Sequence, residues 1–128
     1  MVVAGLILAG VAALVHVYIF VLESLVWTGR SARAVFGLTA QQAEDTRELA
    51  FNQGFYNLFL AIAVFLGIIF VATGQPLIGA TLVFTGAGSM TAAALVLLLS
   101  SPGKASAALK QGVIPALGVI ALAIGFAA

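Results

Sequence analysis

Apolar residues run almost unbroken through four stretches of this chain, at about residues 2–27, 51–72, 77–99 and 107–127, and polar residues gather between them. Each stretch is close to the ~20 residues that cross a hydrocarbon core of about 30 Å. Lipid offers no partner to an open backbone N–H or C=O, so a spanning segment must be a helix or part of a closed barrel. Barrel strands alternate apolar and polar residues. These runs do not alternate, and their length selects helices. The pattern predicts an all-α, polytopic membrane protein: four transmembrane helices in one compact up-down bundle, with a partly helical loop over 28–50.

Composition agrees. Of 128 residues, 63% are hydrophobic and 7% charged, against roughly a quarter charged in a soluble domain. The first run has no Lys or Arg before it and is longer than a signal-peptide core, so it is expected to stay as a span. With no cysteine, disulfides and thiolate ligands are excluded. A net charge of +1 without a basic tract gives no footprint for nucleic acid.

Charge also orients the chain. Arg30, Arg33 and Arg47 lie between the first and second runs, Lys104 and Lys110 between the third and fourth. The turn TGQP at 73–76 carries no charge. The positive-inside rule places both basic connections in the cytoplasm and both termini outside.

The first loop has its own punctuation. Gly29 and Gly37 permit turns, and Arg30 and Arg33 suit lipid headgroups. Thr39 and Gln42 have the spacing of a capping box, which predicts a helix from 40 onward that continues into the second span. Arg47 can pair with Glu44 or Glu48. In the third run, GAGSMTAAA (86–94) offers small residues for close packing. SSPGKAS breaks the chain before the fourth. Pro115 there fits a first turn or, if the helix starts earlier, a kink.

A few polar residues stand inside these apolar runs. His16 and Glu23 are two turns apart and share a face of the first helix. Counting back from Trp27 at ~1.5 Å per residue puts Glu23 roughly 6 Å and His16 roughly 16 Å into the membrane. An ionised carboxylate near mid-membrane costs about 2.5–3.5 kcal/mol on insertion scales. Glu23 must therefore be protonated, paired or lining water. Asn52 and Tyr56, and likewise Gln53 and Asn57, are each one turn apart at the entry to the second span. Gln111 opens the fourth from the same side. Gly54 and Gly112 let a neighbour or ligand approach closely. Together these predict a polar pocket shared by three helices and open toward the cytoplasm.

Each residue also has a plain structural reading. Membrane Asn and Gln often tie helices together; Tyr56 and Trp27 suit interfacial anchoring; His16 fits a hydrogen-bonded bundle histidine. Glu44, Asp45 and Glu48 read as a solvated face. Glu23 is the exception, because an intramembrane carboxyl is a functional candidate by default. No phosphate loop, HExxH or nucleophile elbow occurs. One His and one Glu do not make a metal site, and no cofactor is expected.

The segments HVYIFVLESLVW, FNQGFYNLFLA and KQGVIPAL resemble a bacterial family of small four-helix integral membrane proteins, a domain of unknown function. The resemblance covers nearly the whole chain, and its most specific pieces are NQG-x-YN and the upstream H-x6-E. It implies a four-span fold in a bacterial cytoplasmic (inner) membrane and picks out His16, Glu23, Asn52, Gln53, Gly54, Tyr56, Asn57 and Gln111.

Two functions fit these residues. One is a binder or enzyme for a membrane lipid or apolar small molecule, an isomerase or cyclase. There a protonated Glu23 would act as general acid, His16 would take or relay a proton, and Asn52, Gln53, Tyr56, Asn57, Gln111 and Trp27 would hold the ligand. The ~10 Å between His16 and Glu23 along the helix argues against direct transfer between them. The other is a proton-coupled exporter, working as a homodimer through Glu23, with Gly79, Gly86, Gly118 and Gly125 forming its seams. A structural membrane partner without a ligand is the third reading.

Overall fold

The computed structural model describes residues 1–128. The first long helix, α1, covers Val2–Phe20 and ends in a wider π-type turn over Val21–Leu25. Two short helices follow, α2 (Arg30–Phe36) and α3 (Ala40–Asp45). Three long ones complete the chain: α4 (Arg47–Ala72), α5 (Pro76–Ser100) and α6 (Ala105–Ala127). Four segments are long and apolar enough to cross a membrane: Val2–Leu25, Arg47–Ala72, Pro76–Ser100 and Pro102–Ala127. They form a ring in which α1 packs on α4 and α6, and α5 packs on the same two helices.

The bundle is built inside out relative to a soluble one. Its outer surface shows large apolar side chains such as Ile7, Leu14, Phe59, Leu66, Leu95 and Ile120. The buried core is mostly small: Ala9, Ala12, Ala13, Ala61 and Ala87, filled out by Val64, Val83, Met90 and Leu122. Between helices in lipid there is little hydrophobic driving force, so close van der Waals approach holds the bundle, and small residues permit it.

The glycines mark those approaches. A Cβ on Gly79 would stand 2.5 Å from the Gly67 carbonyl oxygen, so α4 and α5 meet backbone to backbone. Gly86 faces Val64 of α4 in the same seam. Gly118 meets Ala9, and Gly125 meets Val2, which fixes α6 antiparallel to α1 with the chain ends together. The four glycines expected to serve a seam with a second copy are thus used within one chain. Gly112, opposite Ala94, also has a helix as its neighbour.

The connections follow local chemistry. Gly74, at φ 84°, turns the chain between α4 and α5 in the left-handed region that favours glycine. The predicted capping box is present: the Gln42 N–H donates to Thr39 Oγ1 at 3.1 Å, and the Thr39 N–H donates to Gln42 Oε1 at 2.9 Å. One expectation is corrected here. The helix from 40 does not run unbroken into the span but bends at Thr46 (φ −106°, ψ 5°). The Thr46 hydroxyl donates back to the Gln42 carbonyl at 2.7 Å and accepts the Trp27 indole N–H at 3.1 Å. A β-branched residue bonded in both directions is drawn out of helical register. Pro115 lies inside α6, fully buried, because that helix begins ten residues before it. All five basic residues fall at the end of the bundle opposite the termini.

Candidate functional site

Glu23 sits in the π-type turn that ends the first span, where the Val26 N–H reaches back five residues to the Val21 carbonyl at 3.2 Å. Turns of this kind add a residue to one coil and often mark functional positions. Only 9% of Glu23 is exposed. From α4, the Asn57 amide donates to Glu23 Oε2 at 2.8 Å. The other oxygen, Oε1, has no hydrogen-bond partner within the protein.

The approach of the two helices is set by the residues around this bond. Ser24 Oγ donates to the Phe51 carbonyl at 2.8 Å, bridging α1 to α4. Gly54 faces that bridge: a Cβ there would collide with Ser24 Oγ and stand 3.0 Å from Glu23 Cβ. On the membrane side, Phe20 meets Phe55 edge to face at 5.1 Å. On the other side, Trp27 is bonded to Thr46 and packs on Phe36 with ring centroids 5.0 Å apart. The glycine in NQGFYN thus lets the two backbones close, and the asparagine that ends the hexapeptide completes the junction.

Beside this junction an open cleft of about 550 Å³ is lined by ten residues: Glu23, Ser24, Leu25, Trp27 and Thr28 from the end of the first span, and Glu44, Asp45, Arg47, Glu48 and Phe51 from α3 and α4. Glu23 is the one buried residue among them and marks the inner end. At the rim, Arg47 lies 3.7 Å from Glu44, with both side chains largely exposed. A cleft of this size falls in the range of small-molecule sites, about 300–1,000 Å³.

The other expected ligand residues lie elsewhere. His16 is buried, but its Nδ1–H donates to the Ala12 carbonyl of its own helix at 2.9 Å, and it does not line the cleft. Asn52 is exposed and donates to the Glu48 carbonyl one turn back at 3.3 Å. Gln53 and Tyr56 are exposed on α4. Gln111 is half-buried at the start of α6, which contributes nothing to the lining. Of the polar residues at the entry of the second span, Asn57 alone meets Glu23. The physical reason is register: at about 100° per residue, positions 52, 53, 56 and 57 spread over a wide arc of α4, and of the four only Asn57 is turned inward.

Sequence reasoning passed over Ser24, Thr28 and Thr46, and it treated the acids Glu44, Asp45 and Glu48 as a solvated face. They are exposed, yet they form the outer wall of the cleft. The capping box marked where α3 begins, but nothing local marked the bend at Thr46 that sets α3 beside the cleft. No groups of three or more His, Cys, Asp or Glu are placed to hold a metal ion.

No curated protein and no solved structure matches the chain. Residues 10–123, which include both halves of the Glu23–Asn57 junction and every residue of the cleft, match a family model described as a protein of unknown function, DUF1304. The chain therefore belongs to the DUF1304 family.

Proposed function

We propose that this protein binds an amphiphilic, lipid-like small molecule in the cleft at the end of its first span, with Glu23 as the anchor for the ligand's polar head. The observation that carries this is a carboxyl nine-tenths buried, held by Asn57 through one oxygen, at the inner end of a cleft that also opens outward. A bundle needs no carboxyl at such a depth for its own stability. Hydrogen bonds between membrane helices average about 0.6 kcal/mol, less than the cost of inserting the charged group. Apolar Leu25 and Phe51 in the same lining suit a molecule with a hydrophobic part.

The distribution of arginine and lysine supports a cytoplasmic opening with both termini outside, and the resemblance adds a bacterial cytoplasmic membrane. If the bound molecule is also transformed, Glu23 is the group placed to exchange a proton with it, and Asn57 orients that carboxyl. His16 stands apart from the cleft, so the two-residue relay is not favoured. The dimeric exporter loses its suggested seams, because Gly79, Gly86, Gly118 and Gly125 are occupied within the chain.

The test is mass spectrometry of what accompanies the purified protein. Wild-type protein should carry an amphiphile enriched over the surrounding membrane, and Glu23→Gln should carry much less of it. Identical extracts from both would overturn the proposal.

A further inference from the structure

We infer that the head group this cleft accepts is a cation with N–H donors, a primary or secondary ammonium on an apolar chain. This rests on the binding role proposed above and names its ligand class.

The chain has four acidic residues in all, and every one lines this cleft: Glu23, Glu44, Asp45 and Glu48. Of five basic residues, only Arg47 joins them, and it is turned toward Glu44. A protein with a net charge of +1 has therefore gathered its negative charge in one concavity. Charges lining a cleft with low-dielectric walls focus their field and concentrate the opposite sign there. The rim acids are exposed and screened, so their part is to attract rather than to hold.

Depth sets Glu23 apart from the rim acids: the residue is nine-tenths buried at the inner end of the cleft, and its Oε1, without a hydrogen-bond partner in the protein, is not sealed off. A carboxylate only accepts hydrogen bonds. With Asn57 already donating to Oε2, the remaining oxygen is free to accept a bond from a ligand in the cleft. An ammonium N–H supplies that bond and the opposite charge together, the stronger kind of hydrogen bond. An anionic head would meet four carboxyls, and a hydroxyl head would satisfy Oε1 without answering the charge.

The rest of the lining is consistent with such a head. Trp27, the one tryptophan in the chain, belongs to the lining, and aromatic rings are favourable neighbours for cations. Leu25 and Phe51 are exposed on the bundle surface as well as lining the cleft, so an alkyl chain can leave along them into lipid.

That single tryptophan also supplies the readout. Protein in nanodiscs of zwitterionic lipid is titrated with dodecylammonium, dodecanol and dodecanoate, which share one chain length and differ in head group, while Trp27 fluorescence is followed. Dodecylammonium should give a saturable change, with the other two at least about tenfold weaker, the size expected for a hydrogen bond to a charged group. Glu23→Gln, whose amide oxygen still accepts from Asn57, should weaken dodecylammonium binding by about tenfold or more. Glu48→Gln, at the exposed rim and remote from packing, should weaken it by about twofold to threefold, an effect that salt removes. Equal binding of dodecanol, or undiminished dodecylammonium binding by Glu23→Gln, would overturn the ammonium assignment and leave an amphiphile binder standing. Saturable binding of none of the three would overturn both.

Discussion

At the end of the bundle where the chain begins and finishes, helices meet backbone to backbone through glycine, as at Gly67 with Gly79 and Gly125 with Val2. No side-chain hydrogen bond joins one long helix to another there. At the opposite end they meet through side chains: Asn57 to Glu23, Ser24 to the Phe51 carbonyl, and Trp27 to Thr46. Both ends rely on glycine, but for different purposes. Gly67 and Gly79 bring two backbones together and nothing else. Gly54 brings them together so that a carboxyl and an amide can meet. The apolar end thus closes the fold, while the polar end builds the junction on which the proposed site rests.

The largest effect should come from the apolar end. In Gly79→Ala the new Cβ would meet the Gly67 carbonyl at 2.5 Å and the Val71 nitrogen at 2.6 Å, backbone atoms that cannot swing away. Overpacking of this kind costs about 1–3 kcal/mol, so thermal unfolding in detergent should occur at a clearly lower temperature. Gly54→Ala should cost somewhat less, because the nearest atom in its way is the hydroxyl of Ser24, which can rotate once its bond to Phe51 is given up, while Glu23 Cβ and the Ser24 nitrogen, at 3.0 and 3.1 Å, need shift only slightly. Its mark should instead be a displaced Glu23 and weakened ligand binding. A Gly54→Ala protein that binds as the wild type does would mean that the polar end does not depend on this approach.

Next come the members of the junction. Asn57→Leu leaves a buried carboxyl without its donor and should destabilise by about 1–3 kcal/mol. Glu23→Gln keeps an acceptor for Asn57 and removes the cost of a buried charge, so it should unfold no more readily than wild type. A double-mutant cycle on the two positions should return a coupling near 0.6 kcal/mol and at most about 1.7 kcal/mol. The smallest effect belongs to the rim. Glu44→Gln removes an exposed ion pair at 3.7 Å, and exposed pairs contribute about 0–1 kcal/mol. Its unfolding temperature should not move measurably.

These contrasts also explain what could be read from residues alone. The four spans and their order were legible, because lipid imposes length and apolarity on any segment that crosses it. Thr39 and Gln42 were legible because a capping box is local. Glu23 stood out because a carboxyl within an apolar run demands an explanation, and His16 drew notice for the same reason. The partner of Glu23 was not legible. Asn52, Gln53, Tyr56 and Asn57 all belong to one polar entry, and only the rotation of α4, set by Gly54 against Ser24, decides that Asn57 faces inward. The wall of acids was hidden for a similar reason: the break at Thr46 that brings α3 over the cleft depends on a bond from Trp27, nineteen residues away in the chain.

Whether water reaches Glu23 from the basic end of the bundle decides between a site and a structural tie. The absence of native cysteine makes this a single labelling measurement. Ser24→Cys places a thiol in the cleft lining beside Glu23, and Ser89→Cys places one on the exposed lipid face in the middle of α5. A membrane-impermeant maleimide supplied from the side bearing Arg30 and Arg33 should modify the thiol at 24 readily and the one at 89 hardly at all. Equal protection of both positions would contradict the cleft, and with it the role given to Glu23.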